Sequence, residues 1–244
     1  MRAKKKGRVK KQLDAAIGRH LALLILLLVL IILSPFVLTF RFGVLLLNIV
    51  GVAILLAGTY AVRAQRKFFI TTAIFAVTSV ILSWSIAIVP AQWAIISGHV
   101  CLLAVLGLFS IHILMDVVSP GRITADKIYG AICVYLLIGY AWAFGYAIIE
   151  EVQPGSFSGA ISVDADYRTV VMQMRYFSFI TLTTLGFGDV VPRTPIARTF
   201  AILEAVVGQM YLAVLVARLV GQHIVDVNES DSSGKNNQKL PNDE

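Results

Sequence analysis

Between Phe177 and Pro192 the chain reads FSFITLTTLGFGDVVP. Thr181, Thr183 and Thr184 lead into Leu185-Gly186-Phe187-Gly188-Asp189, where two glycines alternate with larger residues. That pattern suits neither a helix nor a buried strand, and glycine tolerates positive φ at no steric cost. A ribbon alternating between left- and right-handed conformations can turn successive carbonyl oxygens the same way. It then offers a row of oxygen ligands that needs no side chain. Repeated around an axis, such a row replaces the hydration shell of a monovalent cation. The Thr184 hydroxyl would add one more ring of oxygens at the inner end. This chemistry is ligation and release rather than bond-making. No nucleophile–base pair or metal-ligand cluster stands out, and Cys101, Cys133 and four scattered histidines suggest none. An enzyme is not expected, nor any cofactor beyond the permeant ion.

A ribbon of that kind must be held inside a membrane, and the composition supplies one. The 244 residues are 58% hydrophobic and 14% charged, with mean hydropathy +0.81. Soluble domains are usually about 25% charged, so an integral membrane protein is expected. A crossing helix takes about 20 apolar residues. The chain offers Leu21–Phe40, Gly43–Val62, Phe68–Val89, Trp93–Met115, Ile128–Ile149 and Ile196–Val220, the first five without a single Asp, Glu, Lys or Arg. Pro35 and Pro90 fall near span ends, where a lost backbone hydrogen bond costs least.

Net charge is +7, which alone would admit nucleic acid as a partner. Its placement argues otherwise. Arg2, Lys4, Lys5, Lys6, Arg8, Lys10, Lys11 and Arg19 crowd the start of the chain, where a basic run sets topology or touches anionic lipid. With that end inside, internal connections hold Arg63, Arg66, Lys67, Arg122 and Lys127, while the first two external ones hold only Arg41. The positive-inside rule then puts both termini in the cytoplasm, in the plasma or inner membrane. The expected organisation is a basic arm over residues 1–20, a four-helix bundle over 21–116, a pore unit over 127–221 and a polar, disordered tail over 222–244.

From Thr181 to Asp189 the sequence resembles the potassium-channel signature Thr-x-x-Thr-x-Gly-Tyr/Phe-Gly-Asp at every fixed position. The resemblance extends over roughly Ile128 to Gly221. It implies an all-α membrane fold of six transmembrane helices, with a re-entrant pore helix and selectivity filter between helices five and six. The implied pore unit comprises an outer helix over 128–149, a pore helix over 169–183, a filter over 184–189 and an inner helix over 196–220. In the family, carbonyls matching Thr184, Leu185, Gly186 and Phe187 bind dehydrated potassium, and Gly188 completes the ribbon. Tyr176 and Phe177 match an aromatic cuff, Thr183 lies at the filter's base, and Asp189 is usually tied to a pore-helix side chain. Phe187 in place of Tyr, Leu185 in place of Val and Ile180 in place of a carboxylate depart from the commoner pattern. They bear on filter rigidity.

Further positions follow from the last span. Gly208 resembles a hinge glycine, although close packing explains it equally well. Gln209 and Leu212 match cavity-lining positions, and Val216 continues that face. Glu204 is the one acid inside any span; an ionisable group there faces protein or water, and it should accept hydrogen bonds from the pore helix or loop. Glu150, Glu151, Asp164 and Asp166 read as a solvated outer turret. Trp93–Met115 carries no Arg or Lys. Each charge moved gains only about 2.3 kcal/mol per 100 mV, so gating by a charged helix is not expected. One chain supplies one loop, so three identical subunits are expected as partners in a passive, potassium-selective homotetramer. The competing readings are a weakly selective cation channel and a potassium-transporter subunit with a filter-like loop.

Overall fold

A computed structural model of the chain describes residues 19–34, 43–62, 66–88, 92–119, 124–159 and 167–237. Helices dominate. In chain order they are α1 (Arg19–Leu33), α2 (Gly43–Val62), α3 (Arg66–Ile88), α4 (Gln92–Val118), α5 (Ala125–Val152), α6 (Tyr167–Leu182) and α7 (Pro195–Asn237). Two short strands, β1 (Phe157–Gly159) and β2 (Val190–Pro192), pair antiparallel. The basic arm before residue 19, Pro35, Pro90, Arg41, Arg63, Arg122, Asp164, Asp166 and residues 238–244 lie outside the described residues.

Among the described residues, three helices are long and apolar enough to cross a membrane: α4, α5 and α7 over Pro195–Arg218. The first three helices hold shorter apolar stretches, His20–Leu33, Ile49–Thr59 and Ile70–Leu82. This is a multi-pass, mainly helical membrane protein. The helix ends differ from the sequence expectation. The fifth runs 125–152 rather than 128–149, because Thr124 caps it by accepting from the Lys127 amide and Asp126 favours its first turn. α6 covers Tyr167–Leu182 rather than 169–183, stopping where Thr184 leaves helical φ. α7 continues to Asn237, where an irregular tail was expected from residue 222. No proline interrupts it before Pro241, and Glu, Gln and Lys are good helix formers.

α5 is the axis on which the rest is hung. α1, α4 and α6 all pack along it, and α7 packs on α6 and α5. The larger core joins Leu23, Leu27, Val105, Phe109, Ile113, Val134 and Leu137 from α1, α4 and α5. Buried His20 pins the start of α1 to that of α5: its amide donates to Asp126 Oδ1 at 3.0 Å, and its Nδ1 lies 3.1 Å from Oδ2. At the other end Gln92 donates to the Glu151 carbonyl at 2.9 Å. A second core gathers Tyr146, Phe157, Met174, Phe177 and Ile180 under the 183–189 loop.

Candidate ion-conduction site

α6 ends at Leu182, and the loop that follows has an alternating backbone. Thr184 (φ +58°), Gly186 (+54°) and Gly188 (+80°) are left-handed, and the residues between them are not. Thr184 is the only non-glycine with positive φ among the described residues. For a β-branched side chain that conformation costs on the order of 1–3 kcal/mol, and strain of this kind collects at functional sites. The Ile180 carbonyl anchors the turn, accepting from the amides of Leu185 (2.8 Å) and Gly186 (3.2 Å). Thr183 hydroxyl donates back to the Phe179 carbonyl at 2.6 Å, and Thr184 hydroxyl to the Thr183 carbonyl at 2.7 Å. Ile180, read as a lost carboxylate, thus contributes its backbone oxygen.

Little of its own chain covers this ribbon. Leu185 is 61% exposed and Phe187 68%. The support comes from behind. Phe177 is buried in a ring cluster with Tyr146 (5.1 Å between centroids) and Phe157 (5.2 Å), while Tyr176 donates its hydroxyl to Asp189 Oδ2 at 2.7 Å. Asp189 Oδ1 also accepts from the Val190 amide at 3.1 Å. The two aromatics therefore sit on different faces of α6, one in the core and one exposed beside Asp189.

Beyond Asp189 the chain is strapped by a segment that carries no motif. β1 pairs with β2 so that Gly159 opposes Val190. A Cβ on Gly159 (φ +124°) would lie 1.8 Å from the Asp189 carbonyl oxygen, so only glycine fits there. Glu150, expected as a solvated turret acid, is buried instead. Its carboxylate accepts from the amides of Gly155 (2.8 Å) and Phe157 (3.0 Å) and so shapes the turn into β1. The reason is that the tight return of the chain leaves two inward amides needing acceptors. Buried Ser156 accepts through its carbonyl from the Arg193 amide at 2.7 Å. None of these supports was legible beforehand; only the glycines hinted at a close turn.

Glu204 is fully buried on α7 and accepts from Tyr146 Oη of α5 at 2.6 Å and Ser178 Oγ of α6 at 2.5 Å. Ser178 Oγ also lies 2.7 Å from the Gly139 carbonyl. One side chain thus joins three helices behind the ribbon. Gly208 lies one turn further along, and a Cβ there would sit 2.7 Å from the Leu182 carbonyl oxygen. Close packing against the end of α6 accounts for this glycine. On the same face Tyr211 donates to the Ala131 carbonyl at 2.7 Å. Gln209, Leu212 and Val216 lie on another face of α7 and are exposed on the single chain.

A helix thus ends at a left–right alternating ribbon, and an apolar helix follows it. The family model described as "Ion channel" matches residues 136–222. An inward rectifier potassium channel, Kirbac3.1 of Paramagnetospirillum magnetotacticum, is 33% identical over 33% of this chain and 24% of its own. A voltage-gated potassium channel of Aeropyrum pernix is 32% identical over 53% of this chain and 45% of its own. Protein LctB of Bacillus caldotenax is 31% identical over 41% of this chain and 74% of its own. The chain spans less than half the length of the two named potassium channels. No solved structure matches. Residues 136–222 thus carry an ion-channel domain, similar over that stretch to those of the named potassium channels.

Proposed function

We propose that the protein is a passive, potassium-selective channel in which four copies bring the Thr184–Gly188 ribbons around one axis. The alternation of φ at Thr184, Gly186 and Gly188 carries this reading. It is the conformation a row of carbonyl ligands needs, and it is held in an energetically unfavourable residue type. Irregular backbone at membrane depth is stable only against protein or a water-filled path. The exposure of Leu185 and Phe187 on one chain therefore asks for other copies to enclose the loop. α7 asks for the same: only 11% of its most apolar window is buried, against 50% for α5.

In the assembled pore, potassium exchanges its water for the carbonyls of Thr184, Leu185, Gly186 and Phe187 and passes between adjacent sites. The α6 carboxyl end directs its partial negative charge toward the ion's approach. Gln209, Leu212 and Val216 face the inner cavity, where an amide can solvate a hydrated ion. Six crossings, with both termini cytoplasmic in the plasma or inner membrane, follow from the hydropathy and basic-residue pattern. The Arg-free fourth span leaves no charged helix to sense voltage, and the basic arm would touch anionic lipid. Phe187 lacks the hydroxyl that commonly braces this position, which favours a weakly selective cation channel as the second reading.

Purified protein in liposomes tests both. Uptake of radioactive rubidium should follow a potassium gradient, stop with barium and need no ATP. No uptake, or uptake that requires ATP or a coupled ion, would overturn the proposal in favour of a silent pore or a transporter subunit. Cross-linking to four subunits should accompany the active form.

A further inference from the structure

A cavity of about 250 Å³ lies between the peripheral helices and the pore helix, walled by all of α1 to α6. Its walls are apolar except for Ser79, Tyr140 and Arg175. Arg175 is on α6, two turns before the ribbon, and the Tyr140 hydroxyl is its electrostatic partner. That hydroxyl in turn donates to the Leu27 carbonyl at 3.3 Å. Among the described residues, no carboxylate lies within 4.0 Å of the Arg175 guanidinium.

An arginine keeps its charge at any accessible pH and carries five N–H donors. Inside a membrane such a group normally pairs or faces water. Here it shares the wall of one cavity with the Tyr140 hydroxyl and with Leu27, Leu106 and Phe144. A pocket that is apolar with one cation at its wall complements an apolar molecule with one anionic end. Drug-sized pockets run about 300–1,000 Å³, so this volume takes one hydrocarbon chain and not two. We infer that the cavity binds a single-chain fatty acid, its carboxylate forked on Arg175 and its chain among the leucines of α1 and α4. Planar guanidinium matches a carboxylate in two parallel hydrogen bonds. Because α6 carries Arg175 and runs straight into the ribbon, an occupant of this site bears directly on the helix before the ribbon.

The test uses full-length protein in phosphatidylcholine liposomes and a fatty acid with a photoreactive diazirine near its chain end. Labelling should saturate and map to Leu27–Leu30 and Leu102–Leu106. Excess dodecanoate should displace it and dodecanol should not. Arg175→Gln should weaken apparent affinity by about tenfold or more, the loss of one charge-assisted pair, while Arg175→Lys, which keeps the charge without the fork, should fall between that variant and the parent protein. Leu106→Trp, which fills the cavity without touching Arg175, should abolish labelling. Equal displacement by dodecanol, or labelling spread evenly over outward residues such as Ile111 and Ile202, would overturn the inference. So would stronger labelling by a photoreactive phosphatidic acid, which would assign the site to a two-chain lipid. The dodecanoate and dodecanol comparison needs no variant, so a misfolded mutant leaves the outcome decisive.

Discussion

Glu204 illustrates how a single buried residue is made tolerable. Its two oxygens take hydroxyl protons from Tyr146 and Ser178, so no polar atom of the carboxyl faces lipid. Glu204→Ala would leave the fully buried Tyr146 hydroxyl without its acceptor, costing about 1–3 kcal/mol. Glu204→Gln keeps an oxygen for Tyr146 and the same shape, so its thermal midpoint should stay close to that of the parent protein. Equal midpoints for the alanine and glutamine variants would show that these bonds contribute nothing. Tyr176 is a contrasting case, because its bond to Asp189 is exposed. Tyr176→Phe should barely change thermal stability, since a net hydrogen bond contributes about 0.5–1.5 kcal/mol. It should instead speed the decay of current during sustained conduction, by freeing Asp189 at the mouth. Single-channel or patch recordings with unchanged decay would contradict that role.

At the scale of elements, the decisive contact is α7 against the end of α6. Gly208 lets the two backbones meet at Leu182, whose carbonyl also accepts from Tyr135 Oη at 3.2 Å. In lipid, helices associate through such close packing rather than through the hydrophobic effect. Gly208→Ala should therefore cost about 1–3 kcal/mol from overpacking and disturb the ribbon that follows Leu182. Full stability and full flux in that variant would point to a wider spacing than the structure has. How much of this was readable in advance depended on the range of the interaction. The Thr183–Asp189 ribbon was legible because its conformation is dictated locally by its own glycines. The need of Glu204 for hydrogen-bond donors was legible too, and Ser178 of α6 fits the expected pore-helix donor, whereas Tyr146 of α5 was not foreseen. Gly159 and Ser156 were invisible, since each depends on a distant segment, at Asp189 and Arg193, packing against it. The inward turn of Glu150 was invisible because its partners are the amides of a turn, which any sequence supplies. Helix ends drifted by a few residues because caps such as Thr124 act only once the turn exists. The run of α7 to Asn237 went unread because a polar sequence without proline suits a helix and a loop alike.

For the molecule as a whole, one chain is an unfinished object. The ribbon, one face of α7 and the apolar exterior of α4 are exposed on the single chain, and in the proposed channel identical copies would enclose the ribbon. α1, α4 and α6 pack along α5, and the end of α4 meets α7 through Arg218, whose guanidinium donates to the Val118 carbonyl.

Selective ligation of potassium by peptide oxygens is read directly by the reversal potential of reconstituted channels between potassium on one side and sodium on the other. A potential that tracks the potassium gradient and ignores sodium is the predicted result. A potential near zero at equal potassium and sodium concentrations, meaning both ions pass alike, would contradict it.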